Sequence, residues 1–480
     1  MVHSLSLLEQ AQSVFSALDS ANREFNRRYP GPNAERQPVH TVYGGAHLYR
    51  AETPSRLGSL ALDAMRSYGR DAVEFALGAG FITNAAALAA GPTELEAQFR
   101  RDPVELRRTN ADAWLACAVY ERVCQKLASE PVEDFRIDFE DGFGARPDAE
   151  EDETARTAAC ELARALAEHK LPPFIGIRIK CFNSEWAKRG ARTLELFIDS
   201  LLEASGGVLP ANFLVTLPKV SVPEQPRALV RLLELLERRH SLAPGRLRLE
   251  LMVELTQALI GPDGRCPLPD LLAACEGRCT GAHLGTYDFT ASCNLTAAQQ
   301  IMGHPLCDLA KGMMVLALGG TGVFLSDGAT NVMPVGAHRG IALSEAEFAQ
   351  NRAAVHSAWQ LSHQNVRRSL DGGFYQGWDL HPAQLPVRYA TTYAFFLEGL
   401  ARAAERLANF IDKAARATLV GDVFDDAATG QGLLNYFLRA RNCGAISESE
   451  AAQTGLTPDE FRLRSFAKIL ESRQRRGLGR

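Results

Sequence analysis

The stretch Leu247–Phe289 carries the residue types best suited to metal chemistry. Its first run, Leu-Arg-Leu-Glu-Leu-Met-Val-Glu, alternates with period two and closes on Glu254. Leu247, Leu249, Leu251 and Val253 fall on one side, and Arg248, Glu250, Met252 and Glu254 on the other, the pattern of a strand with two different faces. A second apolar run, Thr280–Asp288, also closes on a carboxylate. Two neighbouring strands that both finish on an acid bring two hard oxygen ligands to one point. Mg²⁺ suits that arrangement, because it takes one or two carboxylates and leaves its other positions to water or substrate.

Other reactive residues follow strand-like runs. Arg178 closes the Ile-rich run Phe174–Lys180. A lone buried charge is costly, so Arg178 either pairs with Asp138 or Glu140 or presents its fork to a carboxylate or a developing enolate oxygen. Asp138, Glu140 and Asp141 crowd into four residues. They form a structural ion-pair network, or they hold a metal's waters and orient Arg178. Asp425-Asp426 precedes a helix-like segment; the pair is an N-cap or brings a general base over the active-site mouth. His47 follows the first strand and either touches substrate or fills a loop, while Lys219, Asp327 and His381 stand late in strands as weaker substrate-binding candidates. Cys275, Cys279 and His283 lack a standard zinc spacing and read as core residues. Gly320-Thr-Gly322 lacks the third glycine of a dinucleotide fingerprint, and no Gly-x₄-Gly-Lys-Ser/Thr loop occurs. Neither NAD nor pyridoxal phosphate is expected.

The elements needed to position these groups alternate along the chain. Strands are predicted at His40–Ala46, Phe135–Glu140, Phe174–Lys180, Asn212–Lys219, Leu247–Glu254, Thr280–Asp288, Gly322–Asp327 and Gly373–Pro382, with helical patterns between them. Eight such repeats predict a (β/α)₈ TIM barrel, with a doubly wound open sheet as the rival. The late position of the charged residues favours the barrel, whose sites lie at the C-terminal rim. Residues 1–39 read as an N-terminal helix and linker, 40–388 as the barrel with a helical insertion at 70–130, and 389–480 as a C-terminal helical cap.

Composition is that of a globular protein, 46% apolar and 23% charged, with a net charge of −5. Nucleic acid is not an expected partner, and the basic run Arg473–Arg480 reads as a solvated tail. Ten cysteines without regular pairing fit a reducing compartment. The first residues show no basic-then-apolar signal segment and no apolar run is long enough to span a bilayer, so the expectation is a cytoplasmic protein without membrane contact.

Six motifs in order resemble the superfamily of HpcH/HpaI aldolases, citrate lyase β-subunits, malyl-CoA lyases and malate synthases: Ile137-Asp-Phe-Glu-Asp-Gly142, Ile177-Arg-Ile179, Leu217-Pro-Lys-Val220, Met252-Val-Glu-Leu-Thr256, Leu284-Gly-Thr-Tyr-Asp288 and Trp378-Asp-Leu-His-Pro-Ala-Gln384. A seventh, Phe424-Asp-Asp-Ala-Ala-Thr429, resembles the malate synthase segment that carries the catalytic base, which places that role on Asp426. The resemblance implies a TIM-barrel enzyme that makes or breaks a carbon–carbon bond through an enolate, by lyase, aldolase or Claisen-type chemistry. Its substrate would be a 2-oxo or 2-hydroxy acid, free or as a CoA ester. Glu254 and Asp288 would hold Mg²⁺, or Mn²⁺ in its place; Arg178 would stabilise the enolate, and Asp138, Glu140 and Asp141 would support both. It also implies a homo-oligomer, in which Asp426 serves its own barrel or a neighbour's. The alternatives are a non-catalytic metal- or ligand-binding protein on the same scaffold and a phosphoenolpyruvate-type phosphotransferase, for which no phosphohistidine segment is evident.

Overall fold

The computed structural model describes residues 7–31, 33, 35–340, 342–412, 418–420, 423–425 and 427–475. Eight parallel strands close into a barrel in sequence order: β1 His40–Gly45, β2 Asp134–Asp138, β3 Phe174–Arg178, β4 Phe213–Leu217, β5 Arg248–Val253, β6 Cys279–Leu284, β7 Phe324–Ala329 and β8 Gln376–Asp379. The seam closes where His40, Thr41 and Val42 of β1 register against Gly377, Trp378 and Asp379 of β8. The TIM barrel expected from the alternation is the fold observed. The open-sheet rival falls because β1 pairs with both β2 and β8.

The period-two pattern explains the layering. Phe135, Ile137, Ile175, Ile177, Val215, Leu249, Leu251 and Val253 are buried in one continuous apolar core between strands and helices. Burial of this kind contributes roughly 1.5–3 kcal/mol per large side chain. The alternate positions enter the barrel, and they are unusually polar. Arg136 donates to Thr216 Oγ1 at 3.1 Å and to Glu250 Oε2 at 3.1 Å, and it also pairs with Asp134. His283 Nε2 lies 3.3 Å from Glu250, and Trp378 Nε1 donates to His283 Nδ1 at 3.0 Å. These buried charges persist because each has a partner; removing one member of such a pair costs about 3–5 kcal/mol.

Between β1 and β2 the chain inserts several helices, among them Ala72–Ala79, Pro92–Arg101 and Ala111–Ser129. The helix Leu385–Asp412 leaves the rim after β8 and runs back down the outside of the barrel. Phe396 already stacks on Tyr375, just ahead of β8, with ring centroids 6.5 Å apart. The remainder, from Leu397 to Asp412, therefore extends roughly 24 Å past the N-terminal end of the barrel at 1.5 Å per residue.

The tail follows that extension. Gly430, near the start of the helix Ala427–Asn442, packs against Phe410. Farther along, Arg439 donates to Gln37 at 2.9 Å and lies 3.8 Å from the Tyr375 ring centre. The segment expected as a cap thus packs at the end of the barrel opposite the rim. Chain direction decides this, since one long helix carries the backbone past the whole barrel before the tail begins. Among the described residues, no helix is long and apolar enough to cross a membrane.

Candidate active site

The C-terminal ends of β2 to β6 bring a set of charges together. Asp138, the last residue of β2, is buried, and its carboxylate accepts the backbone N–H groups of Glu140 at 2.9 Å and Gly142 at 2.7 Å. Those bonds fold the loop after β2 back over the strand end. A Cβ on Gly142 would stand 2.6 Å from Asp138 Oδ2, so this motif position requires glycine. Asp138 also receives Arg178 Nε at 2.7 Å and Arg178 Nη2, holding the guanidinium as a fork. The remaining nitrogen, Nη1, lies 3.2 Å from Glu140 and 3.6 Å from Asp141. Two of its nitrogens are thus held by Asp138, and the third lies toward Glu140 and Asp141.

Lys219 follows β4 with φ of 53°, a left-handed conformation uncommon for lysine. Its backbone N–H donates to Glu254 Oε1 at 2.7 Å. Its ammonium pairs with Glu140 and lies 3.1 Å from Asp288 and 3.5 Å from Asp141. Lys219 had the weaker claim in the sequence, yet it sits at the centre of the cluster. Glu254 follows the end of β5 and is buried. A Cβ on Gly285 would come within 2.6 Å of Glu254 Cβ, so the glycine of Leu284-Gly-Thr-Tyr-Asp288 makes room for this acid. Asp288 does not end a strand as expected. β6 stops at Leu284, and Asp288 stands in the first turn of the helix Thr286–Ser292, partly open to solvent.

The balance of charge is unequal. Among the described residues, Asp138, Glu140, Asp141, Glu254 and Asp288 share two cations, Arg178 and Lys219. Burial pushes the Glu254 carboxyl up to about 8; Lys219 offsets this in part, and Asp288 and Glu140 add repulsion. Burial also raises Glu140, although Arg178 and Lys219 oppose it. Burial acts the same way on Asp141, but there Arg178 and Lys219 prevail and hold the carboxyl below its usual range. A partly buried excess of hard oxygens fits a divalent cation. Among the described residues no three His, Cys, Asp or Glu side chains converge on a metal position. Two carboxylates from protein, with water and substrate completing the set, is the coordination Mg²⁺ accepts.

The floor of the site is aromatic, which the sequence reading did not single out. Tyr43 from β1 lies 4.8 Å from Trp378 between ring centres and 4.8 Å from the Arg178 guanidinium carbon. Met252, Ala329, Trp378, Tyr43 and Tyr287 form a small apolar cluster inside the barrel, separate from the main core. The signal was present: Tyr43 and Trp378 occupy the inward parity of β1 and β8. To one side, a cleft of about 460 Å³ opens between Glu140, Asp141, Lys180, Asn183, Trp186 and Lys219.

Three expected residues lie apart. Asp327, expected at the rim, is buried on the outer side of β7, where it accepts Lys311 Nζ at 2.9 Å and Ser369 Oγ at 2.7 Å. Its neighbour Ser326 takes the register position opposite His283. A one-residue change of parity moves a side chain through the wall. His381 caps the turn Pro382–Gln384, accepting from Ala383 N at 3.1 Å, and burial lowers its basicity. His47 lies against Phe143, ring centres 5.7 Å apart, and its basicity is lowered first by burial and then by Arg146. Asp426 lies outside the described residues. Cys275 is buried with its thiol 3.2 Å from Leu271 O, Cys279 is partly buried and His283 turns into the barrel; all ten cysteines are free.

A closed (β/α)₈ barrel with an acid-rich C-terminal rim is thus the class the fold and site define. The chain belongs to the family described as a domain of unknown function, DUF6986, whose model matches residues 18–469. A search of curated proteins finds no match. Among solved structures, a citrate lyase from Burkholderia xenovorans LB400 is similar over 70% of this chain and 92% of its own, at 20% identity and a TM-score of 0.48. A malate synthase from Haloferax volcanii is similar in its magnesium/glyoxylate complex over 71% of this chain and 87% of its own, at 15% identity and a TM-score of 0.40. The same enzyme in a pyruvate/acetyl-CoA ternary complex covers 71% and 89%, at 15% identity and a TM-score of 0.41.

Proposed function

We propose that this protein is a metal-dependent carbon–carbon lyase, aldolase or Claisen-type synthase acting through an enolate on a 2-oxo or 2-hydroxy acid, free or as its CoA ester. One observation carries the reading: Arg178, clamped by Asp138, meets Glu254 and Asp288 at one rim through Glu140 and Lys219. Glu254 and Asp288 would hold Mg²⁺ or Mn²⁺, which when bound supplies Lewis-acid polarisation of the substrate's oxo group.

The rest is work for the chain's own residues. Arg178 Nη1, now 3.2 Å from Glu140, would turn to a developing enolate or aldolate oxygen, while the clamp from Asp138 holds the guanidinium plane in place. Lys219 offsets part of the acid cluster's charge and stands where it can meet the substrate carboxylate. Tyr43, Trp378 and Met252 form a dry floor on which a planar enolate can lie. Asp426 would remove or return the proton on the nucleophilic carbon. It would do so for its own barrel or, in a homo-oligomer, for that of a second copy.

The test is release of glyoxylate or pyruvate from malyl-, citramalyl- and free hydroxy-acid substrates, with and without Mg²⁺ or Mn²⁺. Metal-dependent release from one of them is expected, and Glu254→Ala should abolish it. Full activity in that variant would remove the metal assignment.

A further inference from the structure

We propose that the N-terminal helix is a docking surface for the same helix of a second copy of this chain. Helical segments Leu7–Gln10 and Gln12–Arg28 join through Ala11, whose N–H donates to Leu7 O at 2.9 Å and whose carbonyl accepts from Phe15 N at 3.1 Å. Helical bonding therefore runs through the joint. Leu7, Ala11, Val14, Leu18, Ala21 and Phe25 recur at alternating spacings of four and three, with Leu8 and Phe15 on the flank. This 3.5-residue repeat is the seam by which one helix packs against another. Leu7, Leu8, Val14, Phe15, Leu18 and Phe25 are 45–80% exposed, and no residue of Gln12–Arg28 is buried.

The chain holds this helix at its far end. Gly31 N donates to Gly320 O at 2.8 Å, and the Phe25 and Tyr29 rings lie 5.0 Å apart. The seam itself is left to solvent. Six large apolar side chains at these exposures present on the order of 700 Å² per copy, close to the roughly 800 Å² per partner of a standard interface. Two features favour a second copy over a lipid surface. Glu9, Asp19 and Glu24 balance Arg23, Arg27 and Arg28, so the helix lacks the cationic face that draws amphipathic helices to anionic bilayers. Alanine at two seam positions narrows the stripe and allows close helix approach. A homodimeric contact between identical seams is also self-complementary by construction. It is separate from whatever contact would carry Asp426 to another barrel.

The experiment is the mass of the full chain by sedimentation equilibrium, compared with a Val14→Glu, Leu18→Glu double variant. The double variant should form a particle of half the wild-type mass that keeps the wild-type far-ultraviolet circular dichroism, because neither residue is buried in the subunit. Leu316→Glu, on the equally apolar surface of the helix Pro305–Leu318, should leave the mass unchanged. The proposal is overturned by a monomeric wild type, by undiminished mass in the double variant, or by halving in Leu316→Glu. Binding to phosphatidylserine vesicles that the double variant loses, without a change of mass, would assign the helix to a membrane instead.

Discussion

If Glu254 is a metal ligand, metal binding must expel its proton. Burial pushes this carboxyl up to about 8 in the metal-free protein, so at pH 7 the protonated form outnumbers the ionised form by roughly ten to one. A divalent cation binds the ionised form and should release about 0.9 proton at pH 7. The apparent affinity should rise roughly fifty-fold between pH 6 and 8 and level off above pH 9. Titration calorimetry with Mn²⁺ in buffers of different ionisation enthalpy reads both quantities. Glu254→Gln should remove the proton release together with most of the affinity. Stability follows with a definite sign. The folded value lies above the ordinary carboxyl value of 4.5, so this group's contribution is complete below about pH 4.5 and is lost as pH rises through 8. Metal-free protein should therefore melt lower at pH 9 than at pH 6, and saturating metal should narrow the gap. Affinity that stays flat from pH 6 to 8, with no proton released, would refute the placement of Glu254 as a desolvated ligand.

Other consequences are separable from that one. Asp327→Ala leaves buried Lys311 only the partly exposed Asp308, 3.4 Å away, and should cost about 1–3 kcal/mol in urea unfolding, with metal affinity unchanged. Gly285→Ala drives a Cβ against Glu254 and should lower metal affinity at least tenfold and stability by about 1–3 kcal/mol; wild-type affinity in this variant would show that the seat is not tight. Arg178→Lys cannot keep the two-nitrogen clamp on Asp138, so turnover should fall at least a hundredfold while metal affinity changes little. Asp426→Asn and Glu254→Gln proteins, each inactive, should on mixing and subunit exchange regain about a quarter of the wild-type sites if Asp426 serves a neighbour's barrel; no recovery after verified exchange would place it in its own.

Much of the fold was legible because it rests on local periodicity. Phe135, Ile137 and Ile177 against Arg136, Asp138 and Arg178 set the two faces of β2 and β3 before any contact is known, and the barrel then needs only that such strands recur with helices between them. The rim acids were legible for the same reason, as charges that interrupt or close apolar runs. Asp288 was legible as the acid closing the run Thr280–Asp288 and was expected at a strand end, because the turn at Gly285 that starts a helix leaves no break in hydrophobicity. The aromatic floor was missed because Tyr43 and Trp378 look like ordinary core residues until the barrel is closed and they meet above His283.

What the residues alone determined, then, is the alternation of elements, the parity of the strand residues and the presence of acids at the ends of apolar runs, since each depends on neighbours a few positions away. Tertiary structure decided the remainder. It sent Asp327 through the wall to Lys311 and placed Lys219 between Glu140 and Asp288. It also carried the tail to the barrel end opposite the rim. These outcomes depend on register, on a left-handed residue after β4 and on the direction of one long helix, and those are set by contacts between segments far apart in the chain.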